Sequence, residues 1–136
     1  GPLAKSYTSR DDRRIDSALH TVDNAITSYV GSNNELPASL DILNFEDDNS
    51  TASDVVADGL IEYIPEGKME DKPMNSRSIH RYQLCANYKS STIKPGSSSN
   101  KVPKQSDEYS TYLSIKPHAA ERVCYKLQTS SYLYDY

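Results

Sequence analysis

One amphipathic pattern near the start of the chain constrains its fold more than any other feature. Apolar residues recur there at steps of three or four positions, at Ile15, Leu19, Val22, Ile26 and Tyr29, with Val30 as the alternative for the last position. This spacing predicts an α-helix from about Tyr7 to Val30 whose apolar residues form one stripe. Gly31 follows directly, at the position where a left-handed helix cap is expected.

The other faces of the predicted helix are polar. The pattern assigns to them Asp11, Asp12, Arg13, Asp16, Asp23 and Asn24. A single helix with so many charged residues is not stable by itself in water, because most helical stability comes from packing of the apolar face. We therefore expect a sheet beneath the stripe.

The later part of the chain predicts that sheet. Residues 60–64 form a short apolar run that Pro65 is expected to end, and residues 81–88 and 122–128 alternate between apolar and polar positions. Residues 109–115 are a weaker strand candidate. One helix followed by several strands, without βαβ alternation, predicts an α+β fold in which the long N-terminal helix packs on a small antiparallel β-sheet.

The chain length of 136 residues suits one domain. Gly1-Pro2 resembles the remnant of a cleaved expression tag, so residues 1–3 are treated as a remnant and linker, and residues 4–136 as a single domain. We expect a connecting region over 31–59, the sheet over 60–128 and a tail over 129–136. Within the connection, Pro37 can begin a short helical turn that places Leu36, Leu40 and Leu43 on one face, and residues 45–54 are predicted to be a loop.

The two cysteines, Cys85 and Cys124, lie in the two best strand candidates and on the polar face of each. If the apolar faces cover the helix, both sulfur atoms emerge on the same side of the sheet, where cross-strand pairing brings them within disulfide reach. The bridge would close a loop of about forty residues, which corresponds to roughly 4 kcal/mol in the chain-entropy model. The alternative is two unrelated free thiols. We predict the disulfide and an oxidising compartment.

Motifs that carry chemistry are sparse. His20, His80 and His118 are scattered, and no nucleophile, phosphate-binding or metalloprotease motif is present, so we expect no catalytic residues and no cofactor. The acidic run at 45–50 offers a weak calcium candidate in Asp47, Asp48 and Asn49. The run does not follow the EF-hand pattern, and a solvated acidic loop is the favoured interpretation.

Two other segments are candidate contact surfaces. Four lysines between residues 89 and 104, with a net charge of -4 for the whole chain, favour a solubilising loop over nucleic-acid binding. The C-terminal tail carries Tyr132, Tyr134 and Tyr136, which suit a contact surface, a strand edge or a loose end.

Several segments together resemble a known family. The charged run Arg10-Asp11-Asp12-Arg13-Arg14 followed by Ile15-Asp16-Ser17-Ala18-Leu19 resembles the soluble half of a type IV pilin or pseudopilin helix. Leu36-Pro37 with Leu40 and Leu43 is similar to the segment that leaves that helix. Residues 81–86 and 122–125 are similar to the cysteine-bearing strands of pilin-like proteins.

The resemblance implies a structural subunit of a thin surface filament that serves adhesion, motility or uptake in bacteria. In that family the helix continues N-terminally as an apolar segment that anchors the precursor in the membrane and later packs in the filament core. The implied partners are other pilin subunits, the inner-membrane assembly machinery and host or surface receptors. The alternatives are a pseudopilin of a secretion or DNA-uptake machine, and a secreted binding module with an unrelated α+β fold.

Overall fold

A computed structural model describes residues 9–45, 51–70, 77–89 and 108–132 of the chain. Its elements are α1 (Ser9–Asn33), a 3-10 turn (Leu40–Ile42), α2 (Thr51–Ala57), β1 (Ile61–Glu70), β2 (Arg77–Asn87) and β3 (Arg122–Tyr132). The three strands form one antiparallel sheet in the order β1-β2-β3. The predicted α+β class, with an N-terminal helix and a small antiparallel sheet, is confirmed.

The apolar stripe of α1 packs against the sheet. Its fully buried members are Ile15, Leu19, Val22, Ile26 and Val30. The prediction that Tyr29 occupies the fifth position of the buried stripe is wrong, because its side chain is only half-buried. Tyr29 lies at the margin of the stripe, where it lines a groove together with residues 42–44.

The helix continues three residues beyond its predicted end. Gly31 lies within α1 and does not cap it. The residue with a left-handed backbone is Asn34, at φ 54°, and Asn tolerates this conformation better than most side chains. Its N–H donates to Val30 O at 2.8 Å. The predicted start of the helix at Tyr7 lies outside the described residues.

Strand β1 passes through Pro65, where the sequence predicts that it ends. The register shifts between Pro65 and Gly67, and Gly67 has a φ of 128°. Because β1 is an edge strand, it can accommodate a residue without an N–H. The bulge at Glu66 restores the pairing, and the strand continues to Glu70.

The connecting region contains a second helix, α2, which begins within the segment 45–54 that the sequence predicts to be a loop. Ala52 and Val55 of α2 are buried, and α2 packs along α1. Burial of these side chains outweighs the polar character of the segment. The 3-10 turn buries Leu40, while Leu36 and Leu43 are partly buried against the core. The strand predicted over 109–115 is absent: among the described residues of that segment, only Ser110 bridges to Leu127.

The inner face of the sheet follows the alternation predicted for residues 81–88. Tyr82, Leu84, Ala86 and Tyr88 are all buried beneath the helix. Strand β3 adds Leu127, which is buried, and Val123 and Tyr125, which are partly buried. The domain core therefore lies between the stripe of α1 and the inner face of β2 and β3.

Candidate functional site

Two buried carboxylates lie in the contact between α1 and the sheet. Asp12 is 3% exposed and Asp23 is 8% exposed, so the expectation that both lie on outer faces of the helix is wrong. The sequence carried a signal for Asp23, because this residue lies four positions after Leu19 and three before Ile26. At 3.6 residues per turn, those steps place it on the stripe.

Tyr82 of β2 and Tyr88, which directly follows β2, bind carboxylates of the helix. The Tyr82 hydroxyl donates to Asp23 Oδ1, and the Tyr88 hydroxyl donates to Asp16 Oδ1 at 2.7 Å. Burial raises the pKa of the Asp23 carboxyl, while the Tyr82 hydrogen bond and the charge of His20 act in the opposite direction. Burial also raises the pKa of Tyr82 and of Tyr88. These groups therefore fasten the helix to the sheet at two levels, seven residues apart along α1.

The Asp16 contact ends a longer chain of hydrogen bonds. The hydroxyl oxygens of Tyr88 and Tyr125 are 2.9 Å apart. Because Tyr88 gives its only hydroxyl proton to Asp16, Tyr125 is the donor to Tyr88. The main-chain N–H of Lys116 bonds in turn to the Tyr125 hydroxyl. The hydrogen bonds run from the segment before β3, through Tyr125 of β3 and Tyr88 just after β2, to the helix, and each bond polarises the next.

His118 lies against the same cluster. Its ring stacks on Tyr88, with ring centroids 3.4 Å apart and planes 9° apart. Its Nε2 atom is 4.0 Å from Asp12 Oδ2, and Asp12 Oδ1 accepts from the N–H of Lys89 at 3.2 Å. His118 is buried. In the sequence it is one of three scattered histidines, and nothing local reveals that it meets a tyrosine thirty positions earlier.

We call residues 108–121 the strap, because they connect the two faces of the sheet. At one end, the Tyr109 hydroxyl donates to the Glu66 carboxylate on β1, and the Arg81 guanidinium lies 4.5 Å from the centre of the Tyr109 ring. Ser110 then bonds through its main chain to Lys126 O and Gln128 N, on the open side of β3. At the other end, His118 lies under the helix. The strap is therefore held on both layers of the domain.

The outer face of the sheet carries the two cysteines. Cys85 and Cys124 are directly opposite one another in β2 and β3, with sulfur atoms 2.17 Å apart and Cα atoms 3.9 Å apart. The position of Cys85 on the polar face of its strand predicts exposure, but the residue is fully buried. It is covered because it lies in the central strand, between Glu62 and Cys124 on the neighbouring strands. Arg122 of β3 reaches across β2 to Glu62 Oε2 at 2.7 Å. This bond lowers the pKa of Glu62.

The other candidate residues are only partly placed. The calcium candidates Asp47, Asp48 and Asn49 lie outside the described residues, as do Tyr134 and Tyr136. The main chain of Tyr132 belongs to β3 and pairs with Arg77. Within the part of the chain that the structure describes, no group of three or more His, Cys, Asp or Glu side chains is arranged to hold a metal ion.

Comparisons with protein-family models, curated proteins and solved structures find no match for this chain. In the described ranges, no helix combines the length and the apolar character that crossing a membrane requires.

Proposed function

We propose that this chain is the globular part of a structural subunit of a type IV pilus-like surface filament, serving adhesion, motility or uptake. The observation that supports the proposal is the packing of the N-terminal helix on the antiparallel sheet. The stripe of α1 is buried along most of its length, and tyrosine–carboxylate bonds at Asp16 and Asp23 secure it. This arrangement agrees with the family that the helix and the cysteine strands resemble.

A filament subunit must transmit force between its helix and its globular part. Asp16 and Asp23 are seven residues apart, which is roughly 10 Å along the helix axis. Two anchors at that separation resist tilting of the helix on the sheet better than one anchor. The Cys85–Cys124 bridge joins β2 to β3, the strands that α1 covers, so the platform beneath the helix is itself covalently tied.

In the proposed assembly, the helix continues N-terminally as an apolar segment that anchors a precursor in the inner membrane and then packs in the filament core. The partners are other subunits and the assembly machinery, and the globular part lies at the cell surface. No catalytic role is proposed. A pseudopilin of a secretion or DNA-uptake machine would use the same helix–sheet union and would differ in its partners.

The first test is the native coding sequence upstream of residue 4. The proposal requires a short basic leader followed by roughly twenty apolar residues. The second test is immunogold labelling of cells and of sheared surface filaments with an antibody against this chain, with a deletion strain as the control. Labelling along or at the tip of filaments is the expected result. A native protein that lacks the apolar segment and occurs only as a free secreted species would rule the proposal out in favour of a binding module.

A further inference from the structure

The two ends of the disulfide bridge differ in their access to solvent. Cys85 lies in the central strand β2 and is 0% exposed. Cys124 lies in β3, at the edge of the three-stranded sheet, and is only half-buried. The strap meets β3 at Leu127, three positions after Cys124. The exposed part of the bridge therefore belongs to Cys124.

Polar side chains enclose Cys85 on the outer face of the sheet. Its neighbours on that face of β2 are Gln83 and Asn87, two residues away on either side. Gln83 donates to Glu66 Oε1 at 2.9 Å. Asn87 donates to Glu62 Oε1 at 3.5 Å, and Glu62 is directly opposite Cys85 on β1. Two carboxylates of β1 thus lie on the side of Cys85 that faces away from β3.

The Arg122 side chain extends this cover. Arg122 is opposite Asn87 in the pairing of β2 with β3, and its guanidinium reaches Glu62 Oε2 at 2.7 Å on β1. To make that contact, the side chain crosses the outer face of β2 next to Cys85. Both members of the ion pair are 48% exposed. The pair therefore lies at the surface and helps to exclude solvent from Cys85.

The direction of thiol–disulfide exchange decides which sulfur atom is attacked. A thiolate attacks a sulfur atom in line with the bond that breaks, so it approaches from the side opposite the leaving sulfur. Cys85 and Cys124 are directly opposite one another, so their bond spans from β2 to β3. Attack on Cys85 would come from the β1 side, where Glu62 and Glu66 repel an anion. Attack on Cys124 comes from the open side of β3.

We propose that Cys124 is a site of reversible modification by low-molecular-weight thiols, with Cys85 as the buried thiol that reverses it. The thiolate of the small molecule forms a bond to the Cys124 sulfur, and the bond to Cys85 breaks. Cys85 leaves with the electron pair and takes a proton from water. When the deprotonated Cys85 attacks Cys124 in turn, it expels the small thiolate and restores the bridge.

The backbone makes the reverse step efficient. Arg77–Asn87 of β2 pairs with Arg122–Tyr132 of β3 along the whole length of both strands, so the two cysteines stay adjacent while the bridge is open. The inference goes beyond the proposed filament function and does not depend on it. Its tests use the isolated chain, so their outcome leaves the filament function standing.

The first test treats the oxidised chain in native buffer with reduced glutathione. Acid quenching at short times stops exchange, and peptide mapping locates the glutathionyl group. Adducts on Cys124 should outnumber those on Cys85 by at least about tenfold, because access controls exchange. The same reaction in concentrated urea is the control and should label both cysteines. Equal labelling in native buffer, an excess on Cys85, or no exchange by the folded chain would each overturn the proposal.

Two single variants form a matched pair. Cys85→Ser leaves only the Cys124 thiol, and Cys124→Ser leaves only the Cys85 thiol. With oxidised glutathione, the remaining thiolate displaces one glutathione thiolate and gains one glutathionyl group, which intact mass measures. Cys85→Ser should react at least about tenfold faster than Cys124→Ser. Circular dichroism checks that both are folded, and the wild-type mapping decides if either is not. Equal rates in folded variants contradict the proposal.

A third variant tests the enclosure of Cys85. Glu62→Ala in the Cys124→Ser background removes the carboxylate opposite Cys85 and the partner of Arg122, so Cys85 should react several-fold faster with oxidised glutathione. Glu35→Ala in the same background removes an exposed carboxylate far from the bridge in sequence, and this control should leave the rate unchanged. A folded Glu62→Ala variant that reacts no faster would overturn the enclosure on which the choice of sulfur rests.

Discussion

Tyr82 and Asp23 join the centre of the sheet to the helix by a buried hydrogen bond, although 59 residues separate them in the chain. The Tyr82 hydroxyl donates to the Asp23 carboxylate, which is buried between the helix and the sheet. Burial of a carboxylate is costly unless hydrogen bonds compensate for lost water. The hydrogen-bonded pair therefore fixes one position of the helix on the sheet. Apolar packing alone does not specify that position.

Tyr82→Phe should lower the free energy of unfolding by about 2 kcal/mol, because it removes a hydrogen bond to a buried carboxylate and leaves the ring in place. Urea denaturation measures the change. Tyr109→Phe is the matched control, since it removes a tyrosine–carboxylate bond to Glu66 at an exposed site, and it should cost less. An equal loss in the two variants would show that burial of the Tyr82 pair is unimportant.

The free energy of unfolding of the Asp23→Asn variant, relative to that of wild type, should increase as the pH rises. Burial, the largest cause, raises the pKa of Asp23 in the folded protein, so the folded chain holds this proton more tightly than the unfolded chain does. The stability that this group contributes is present below its unfolded pKa of about 3.9 and is lost as the pH rises through the folded value. Asparagine does not titrate and lacks this dependence.

The measurement is urea denaturation of wild type and Asp23→Asn at about pH 3 and about pH 7. All other titrating groups are common to the two proteins and cancel in the difference. The stability of the variant minus that of wild type should be more positive at the higher pH. A difference that moves in the opposite direction would mean that the Tyr82 bond and His20 outweigh burial.

Replacing both cysteines, Cys85→Ala with Cys124→Ala, should lower the free energy of unfolding by about 2–4 kcal/mol. The two residues are 39 positions apart, and a bridge over a loop of this length reduces the entropy of the unfolded chain by a comparable amount. Denaturant midpoints of the oxidised protein and the double variant give the difference. Intact mass before and after reduction decides the bond directly: a gain of two hydrogens is expected, and no gain would indicate free thiols.

Raising the pH above about 10 should unfold the protein cooperatively. Burial raises the pKa of Tyr63, Tyr82, Tyr88 and Tyr125. These groups contribute stability that is fully present below the ordinary tyrosine pKa and is lost as the pH rises beyond it, because the unfolded chain ionises more readily.

The ultraviolet absorbance of tyrosinate measures this titration. An early phase from exposed tyrosines such as Tyr112 should precede a second phase that coincides with loss of circular dichroism. The protein in concentrated denaturant, as the control, should show one phase. A single phase for the native protein near the ordinary pKa would contradict burial of these hydroxyls.

Local patterns in the sequence determined the main elements. The three-and-four spacing from Ile15 to Ile26 specified the helix and its buried stripe, because a helix brings such positions onto one face whatever surrounds it. The alternation around Tyr82 and Leu84 likewise specified which strand face meets the helix. The same alternation assigned Cys85 and Cys124 to one side of the sheet, and their direct opposition depends on the pairing register.

Tertiary contacts decided what the local patterns could not. α2 forms in a segment that reads as polar because Ala52 and Val55 find α1 to pack against. Strand β1 continues past Pro65 because that strand lies at an edge and a bulge absorbs the missing N–H. The spacing of Asp23 places it on the stripe, but its hydrogen-bond partner there, Tyr82, is fifty-nine residues away, and His118 is buried because the strap returns to Tyr88. In each case the stabilising partner is distant in sequence, so local periodicity carries no information about it until the chain has folded.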